Sequence, residues 1–447
     1  MSAEATERSF ARAGPGLFAE RRFEEPSRVG DVRDPFDHDK GRVIHSAAFR
    51  RLQGKTQVMA TGEGDFHRTR LTHSIEVGQI GEGLLLKTRH GPIDPDLVRW
   101  LPPSSLLMAA CHAHDLGHPP YGHSGEISLN VKMAGDGGFE GNGQTLRVIT
   151  RIEKYRRPGI GLNPTRRLIL AVLKYPVSYN TCIVAIEAAG GEPDERPPKC
   201  YLDSEAGIVD WALEPFSASD RARFVALGAD ARPLHRNFDC SLMECADDIA
   251  YAVHDLEDVI ARGLIRREWF EHALATSDLV ADFDTTHAVA LGMNRAGLAD
   301  ALFSGSSFDR KQAIAGLVNL LVTNVAIRAD DGFEHPLLRY NAVFEPITGR
   351  LVEFLKGFVR HTVIESASVR QLRRKGDMVI QNLFDELCAD HSLIPENAWA
   401  DLSHDDGGAW GDERRVCDFI AGMTDAYAER LYRRLFEPGY GTTTDEL

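Results

Sequence analysis

At 447 residues, 43% hydrophobic and 26% charged, the chain has the make-up of a globular protein with room for a large core. Its formal charge of −15 argues against coating nucleic acid by bulk electrostatics, and an anionic substrate must be met by local cations or a bound metal. Seven cysteines, an odd number with no CxxC spacing, do not suggest a disulfide framework or a thiolate zinc site, and they read as reduced, mostly buried thiols.

The N-terminal stretch "MSAEATERSFARAGPGLFAERRFEE" is polar and lacks the apolar segment of a signal peptide. Residues 1–30 are therefore expected to be loosely ordered, and the protein cytoplasmic. From Thr69 to Arg89, residues His73, Val77, Ile80 and Leu84 recur at i, i+4, i+7 and i+11, one face of a helix. A second helix opens at Ser104 or Ser105, carries Leu107, Ala110 and His114 on one stripe, and is stopped by Gly117 and the Pro119–Pro120 pair. "HAHDLGHPPYGHSGE" (112–126) packs His112, His114, Asp115, His118, His123 and Glu126 into fifteen residues. "MAGDGGFEGNGQ" (133–144) reads as a loop; it lacks the Walker spacing and no strand precedes it, which rules out a P-loop. "GGEPDERPPK" (190–199) reads as an exposed insertion, with Lys199 narrowly favoured as a surface cation over an anion-binding one. A third helix spans 238–265 and ends at Gly263. Past residue 270 the periodicity continues as further helices, and "AIAGLVNLLVTNVAI" (313–327) is too short and too polar to cross a bilayer. No alternating pattern of any length points to strands. The expected fold is all-α, with a core over 31–270 and a C-terminal helical region, 271–447, packed on it or making subunit contacts.

A lone buried histidine is more often a core residue bonded to a carbonyl than a metal ligand. Asp115 shifts that balance for His73 and His114: a carboxylate at a helix C-terminus opposes the macrodipole and, once buried, needs a cation. Imidazoles with carboxylates suit Mn, Fe, Ni, Zn or Mg ions better than thiophilic ones. On the 238–265 helix, Asp247, Tyr251, Asp255 and Asp258 share a stripe, and Asn237 to Ala261 hold seven acids and no Lys or Arg. A solvated acidic face and a metal-facing stripe both fit that run. Tyr251 and His254 within it suit a cleft better than open solvent.

His73, then His114–Asp115, then a distant Asp247 form an H…HD…D series that resembles the HD-domain phosphohydrolases. More narrowly, the chain is similar to the bacterial deoxyguanosine-triphosphate triphosphohydrolases and dGTPase-like proteins. The matching segments are "HSAAFRRLQGKTQV" (45–58), "RTRLTHSIEV" (68–77), "HAHDLGHPPYGHSGE", "FEGNGQTLRVI" (139–149), "LKYP" (173–176) and "ECADDIAYAVHDLED" (244–258), in the family's order.

The resemblance implies an HD-domain helical core with additional C-terminal helices. It also implies metal-dependent cleavage of dNTPs to deoxynucleoside and triphosphate. In that scheme His73, His114, Asp115 and Asp247 hold a divalent metal ion (Mn, Mg, Fe or Ni), and His118, His123 and Glu126 form the catalytic group. Arg70 and Lys174 meet phosphate, Tyr251 and Asp255 face phosphate and the deoxyribose 3′-hydroxyl, Gln57 sits beside sugar and base, and Asn142 supports the pocket with Glu140 and Gln144. Relatives assemble as homo-oligomers, often hexamers, and some answer to an effector dNTP or single-stranded DNA. Two alternatives share parts of this pattern: another HD-type phosphohydrolase (5′-nucleotidase or phosphodiesterase), and a non-catalytic nucleotide- or DNA-responsive sensor.

Overall fold

The computed structural model describes residues 14–26, 29–56, 68–156, 158–192, 194–402 and 411–442, and its helices start where side-chain caps allow. Asp34 caps α1 (Pro35–His45) by accepting from the Phe36 and Asp37 amides. Thr69 and Thr72 cap α2 (Arg70–His90) reciprocally. Helix α3 (Ser104–Ala113) ends with His114 at its C-cap. Helix α4 (His123–Lys132) follows Gly122, whose φ of 58° is left-handed. Glu140 caps α5 (Gly141–Arg147), and Asn237 caps α6 (Phe238–Ala261). The sequence places His123 and Glu126 in a loop; the structure puts them on the first turn of α4.

Helices α2, α3 and α6 pack on one another, and Val77, Ile80, Leu84, Leu107, Ala110, Ile249 and Val253 on them are buried. Each large aliphatic side chain buried this way contributes roughly 1.5–3 kcal/mol, so packing rather than propensity holds α2 in place. The close approach of α2 and α3 needs a glycine: a Cβ at Gly78 would lie 2.8 Å from His112 Nε2. His112 is thereby a core residue, pushed down to about 4 by burial.

The main core runs without a break from Phe18 to Val369 and so crosses residue 270. It takes in α7 (Ser307–Thr323) and α8 (Pro346–Val359). Between them β1 (Val325–Ala329) pairs antiparallel with β2 (Tyr340–Phe344), Ile327 opposite Ala342, the one sheet among the described residues. That hairpin falls where the sequence reads as helix. Val325 and Ile327 prolong the apolar run of α7, and so short a run looks alike as strand or helix. A second core joins Leu129, Met133 and Phe139 to α9 (Ala367–Ala389), α10 (Asp412–Ala421) and α11 (Asp425–Phe436).

Residues 14–26 are fastened down, against the expectation of a loose N-terminal segment. Phe18 is fully buried with ring centroids 5.5 Å from both Trp100 and Phe216. Arg21 Nη1 donates to Asp39 Oδ1 at 2.6 Å. No described helix is long and apolar enough to cross a membrane.

Candidate active site

Helices α2, α3 and α6 converge on His73, His114 and Asp247. His73 Nε2 lies 3.0 Å, and His114 Nε2 3.6 Å, from Asp247 Oδ1. The His114 Nδ1–H donates to the Cys111 carbonyl at 2.6 Å, which leaves the lone pair on Nε2. That buried Nε2 has no hydrogen-bond partner, and one ligand atom from each of His73, His114 and Asp247 falls within 4.8 Å of the others. Asp115 Oδ1 stands 3.5 Å from His114 Nε2, while its Oδ2 accepts from Arg70 Nη1 at 2.7 Å.

Protonation states favour a cation here. Burial holds the His73 imidazole below its ordinary value, so the ring is neutral. Burial pushes Asp115 up, but Arg70 and His114 outweigh it and hold the carboxyl well below the usual range. His114, His73 and Lys174 do the same for Asp247 against its burial. A neutral His73 ring, ionised carboxylates and the unpartnered Nε2 of His114 fit a divalent ion.

A second group stands beside the first. His118 Nδ1 is 3.2 Å from Asp115 Oδ1, and burial, helped by Arg70, pushes it down to about 3. His123 Nδ1 lies 2.9 Å from Glu126 Oε2, and Glu126 Oε1 accepts from the Gly141 amide at 2.9 Å. Glu126 is therefore fixed from two sides, and His123 keeps it below its usual range in spite of burial. The Glu126 side chain is 4% exposed and that of His123 70%, so the carboxylate is hidden behind a ring that faces solvent.

One cleft of about 300 Å³ gathers Arg70, His73, His114, Asp115, His118, His123, Asn142, Lys174, Asp247 and Tyr251. Lys174 Nζ lies 3.3 Å from Glu244 Oε1 and 3.9 Å from Asp247 Oδ2. Asn142 sits at the start of α5, its amide nitrogen Nδ2 donating to Glu140 Oε1 at 2.9 Å. One expected residue is placed otherwise. Asp255 is absent from the cleft wall: Arg68 Nη1 donates to its Oδ1 at 2.7 Å, and burial pushes it up to about 7. Gln57 lies outside the described residues.

Sequence reasoning missed part of the wall. Lys199, read as a surface cation, lines the cleft with Nζ 3.1 Å from Glu140 Oε1. Tyr175, Ile364, Val369, Leu372 and Arg373 line it too. Tyr175 adjoins Lys174 in a quoted segment and was within reach. Arg373 stands in "RQLRRKGD", a charge run with the look of a solvated helix face.

The sequence profile of the HD domain matches residues 70–212, and that of the phosphohydrolase-associated domain matches residues 342–434. A deoxyguanosinetriphosphate triphosphohydrolase-like protein of Shewanella loihica is 41% identical, covering 96% of this chain and 99% of its own. The chain belongs to this family. Its all-α fold is that of a dGTPase-like HD protein with C-terminal helices, and every member of the two clusters except Asp247 lies within the matched HD span. A second such relative, deoxyguanosinetriphosphate triphosphohydrolase-like protein 2 of Deinococcus radiodurans, is 39% identical over 95% of this chain and 98% of its own. The α6 carboxylate Asp247 stands beyond the matched HD span and reaches the cluster through packing.

Proposed function

We propose that the chain hydrolyses deoxynucleoside triphosphates to deoxynucleoside and inorganic triphosphate. One observation carries this reading: a single cleft holds a cation-ready His/Asp cluster, a carboxylate-backed solvent-facing histidine and four basic side chains. The relatives, named deoxyguanosinetriphosphate triphosphohydrolase-like proteins, support it.

His73, His114, Asp115 and Asp247 are the residues to hold a divalent ion, of Mn, Mg, Fe or Ni type. Such an ion supplies Lewis acidity toward a phosphoryl oxygen and lowers the pKa of bound water. Arg70, Lys174, Lys199 and Arg373 offer the cations that a triphosphate requires and that the whole-chain charge of −15 withholds. Glu126 orients His123 so that its outer nitrogen can hand a proton to the 5′-oxygen or direct a water. His118, kept neutral by burial, can accept or donate a hydrogen bond beside Asp115. Tyr251 lines the wall near the phosphates, and Asn142 steadies it. Asp255 reaches a 3′-hydroxyl only if it parts from Arg68.

Purified protein with Mn²⁺ and each of the four dNTPs, singly and mixed, tests the reading by chromatography and phosphorus NMR. Deoxynucleoside with intact triphosphate is the expected outcome. Monophosphate with pyrophosphate, or stepwise loss of phosphate, overturns the cleavage site. Mixed dNTPs and added single-stranded DNA in the same assay probe an effector, and light scattering probes the homo-oligomer.

A further inference from the structure

Two hydrogen-bonded threads tie the cleft to the C-terminal helices. Lys55 is 2% exposed; its Nζ donates to the His118 carbonyl at 2.6 Å and to the Ala421 carbonyl at 2.8 Å. Both partners are neutral carbonyls, and a buried ammonium held by carbonyls is costly to keep. Burial, with Arg70 nearby, pushes it down to about 7.

The second thread starts at Asp425, on the first turn of α11. Its Oδ1 accepts from the Tyr121 amide at 2.9 Å, and its Oδ2 accepts from the Thr56 amide at 3.0 Å and from the Thr56 hydroxyl. Tyr121 has φ 62°, a left-handed conformation that a tyrosine keeps only where its surroundings hold it. Thr56 in turn accepts through its carbonyl from Arg70 Nε at 2.9 Å, and Arg70 Nη1 reaches Asp115 Oδ2 at 2.7 Å.

We propose that Lys55 and Asp425 are positioning residues: from outside the cleft's chemistry they fix the His118–His123 loop and the Arg70–Asp115 pair against the C-terminal helices. The proposal rests on reading the cleft as a hydrolase site. A bond that merely fastens the C-terminal helices has a different signature. The Lys132–Asp385 pair, 2.7 Å long, ties α4 to α9 at the surface without touching the loop and serves as the control.

The test compares the full-length parent with Asp425→Ala, Asp425→Asn, Lys55→Met and Asp385→Ala, measuring dNTP turnover, bound metal and amide exchange over residues 118–123. Asp425→Ala is expected to lower kcat about 100-fold and Lys55→Met about 10-fold, in line with a shift of about 1 Å at reacting groups, with KM and metal content little changed. Asp425→Asn, which keeps one acceptor oxygen, recovers part of the loss, and Asp385→Ala keeps parental kcat. Loop amides exchange at least roughly tenfold faster in Asp425→Ala, a readout independent of turnover. Parental kcat and parental loop protection in both Asp425→Ala and Lys55→Met overturn the proposal. Where Asp425→Ala does not fold, Thr56→Val removes one bond at constant shape, and an unchanged kcat and exchange rate in it overturn the proposal equally. A parent that releases no triphosphate sinks the functional reading instead, and loop exchange then decides the positioning role alone.

Discussion

His112 and His114 lie two residues apart and have opposite fates. The His112 ring fills the space above Gly78 and leans on Phe49 at 5.4 Å, so burial keeps it neutral and inert. His114 spends Nδ1 on a carbonyl and leaves a buried lone pair facing Asp247. The difference is a tautomer and a direction, which spacing predicts only as a helix face. Two substitutions separate holding the ion from using it. Asp247→Ala removes an ionised ligand, and elemental analysis after dialysis should find almost no metal. His123→Ala leaves the cluster whole, so metal stays while kcat falls about 10²–10⁴-fold, the usual range for a lost proton-transfer group. Undiminished metal in the first, or full turnover in the second, removes that residue from its role.

At the scale of elements, α4 shows why the motif carries glycines among its histidines. A Cβ at Gly125 would stand 2.1 Å from the Pro120 carbonyl oxygen, and backbone cannot rotate out of the way. The first turn of α4 and the Pro119–Pro120 bend therefore have to separate in Gly125→Ala, carrying His123 away from His118, 6.1 Å distant between centroids. Turnover should drop about 100-fold with helical content kept, and steady-state kinetics beside circular dichroism checks it. Parental kcat shows that the bend absorbs the methyl group. Much of this scale was legible beforehand. The periodicity of α2, α3 and α6 and the acid-rich stripe of α6 placed His73, His114 and Asp247 on their helices, because a helix face is a local property, whereas His123 and Glu126 read as loop and stand on the first turn of α4. The β1–β2 hairpin and the Arg373 wall were not, since a short apolar run and a basic run each have a commoner explanation. The partners of Leu129, Met133 and Phe139 lie on α9 to α11, and a pattern tells that a face is buried without telling against what.

Across the molecule a buried charge cluster bridges the two cores. Arg147 on α5 donates through Nε and Nη2 to Asp418 Oδ2 of α10 at 2.9 and 2.8 Å, and through Nη1 to Glu205 Oε1 at 3.1 Å. Gln144 Nε2 adds a bond to Asp418 Oδ1 at 2.8 Å. The side chains of Asp418 and Glu205 are 1% and 0% exposed, so the cluster lies out of reach of solvent and salt. A residue boundary near 270 thus divides neither core, and α4 is finished only when α9 to α11 arrive. Asp418→Ala strips Arg147 of a bidentate partner and leaves a buried guanidinium partly uncompensated. The expected cost is about 3–5 kcal/mol in chemical denaturation, the range for breaking one side of a buried pair. Because the lost bonds are those between the cores, unfolding should also split, with fluorescence of the C-terminal Trp399 changing at lower denaturant than the helical signal of the main core. A single transition at the parental midpoint would show that apolar contact and the Lys55 and Asp425 bonds suffice to join the cores, and that the charge cluster is a passenger in an interface already made.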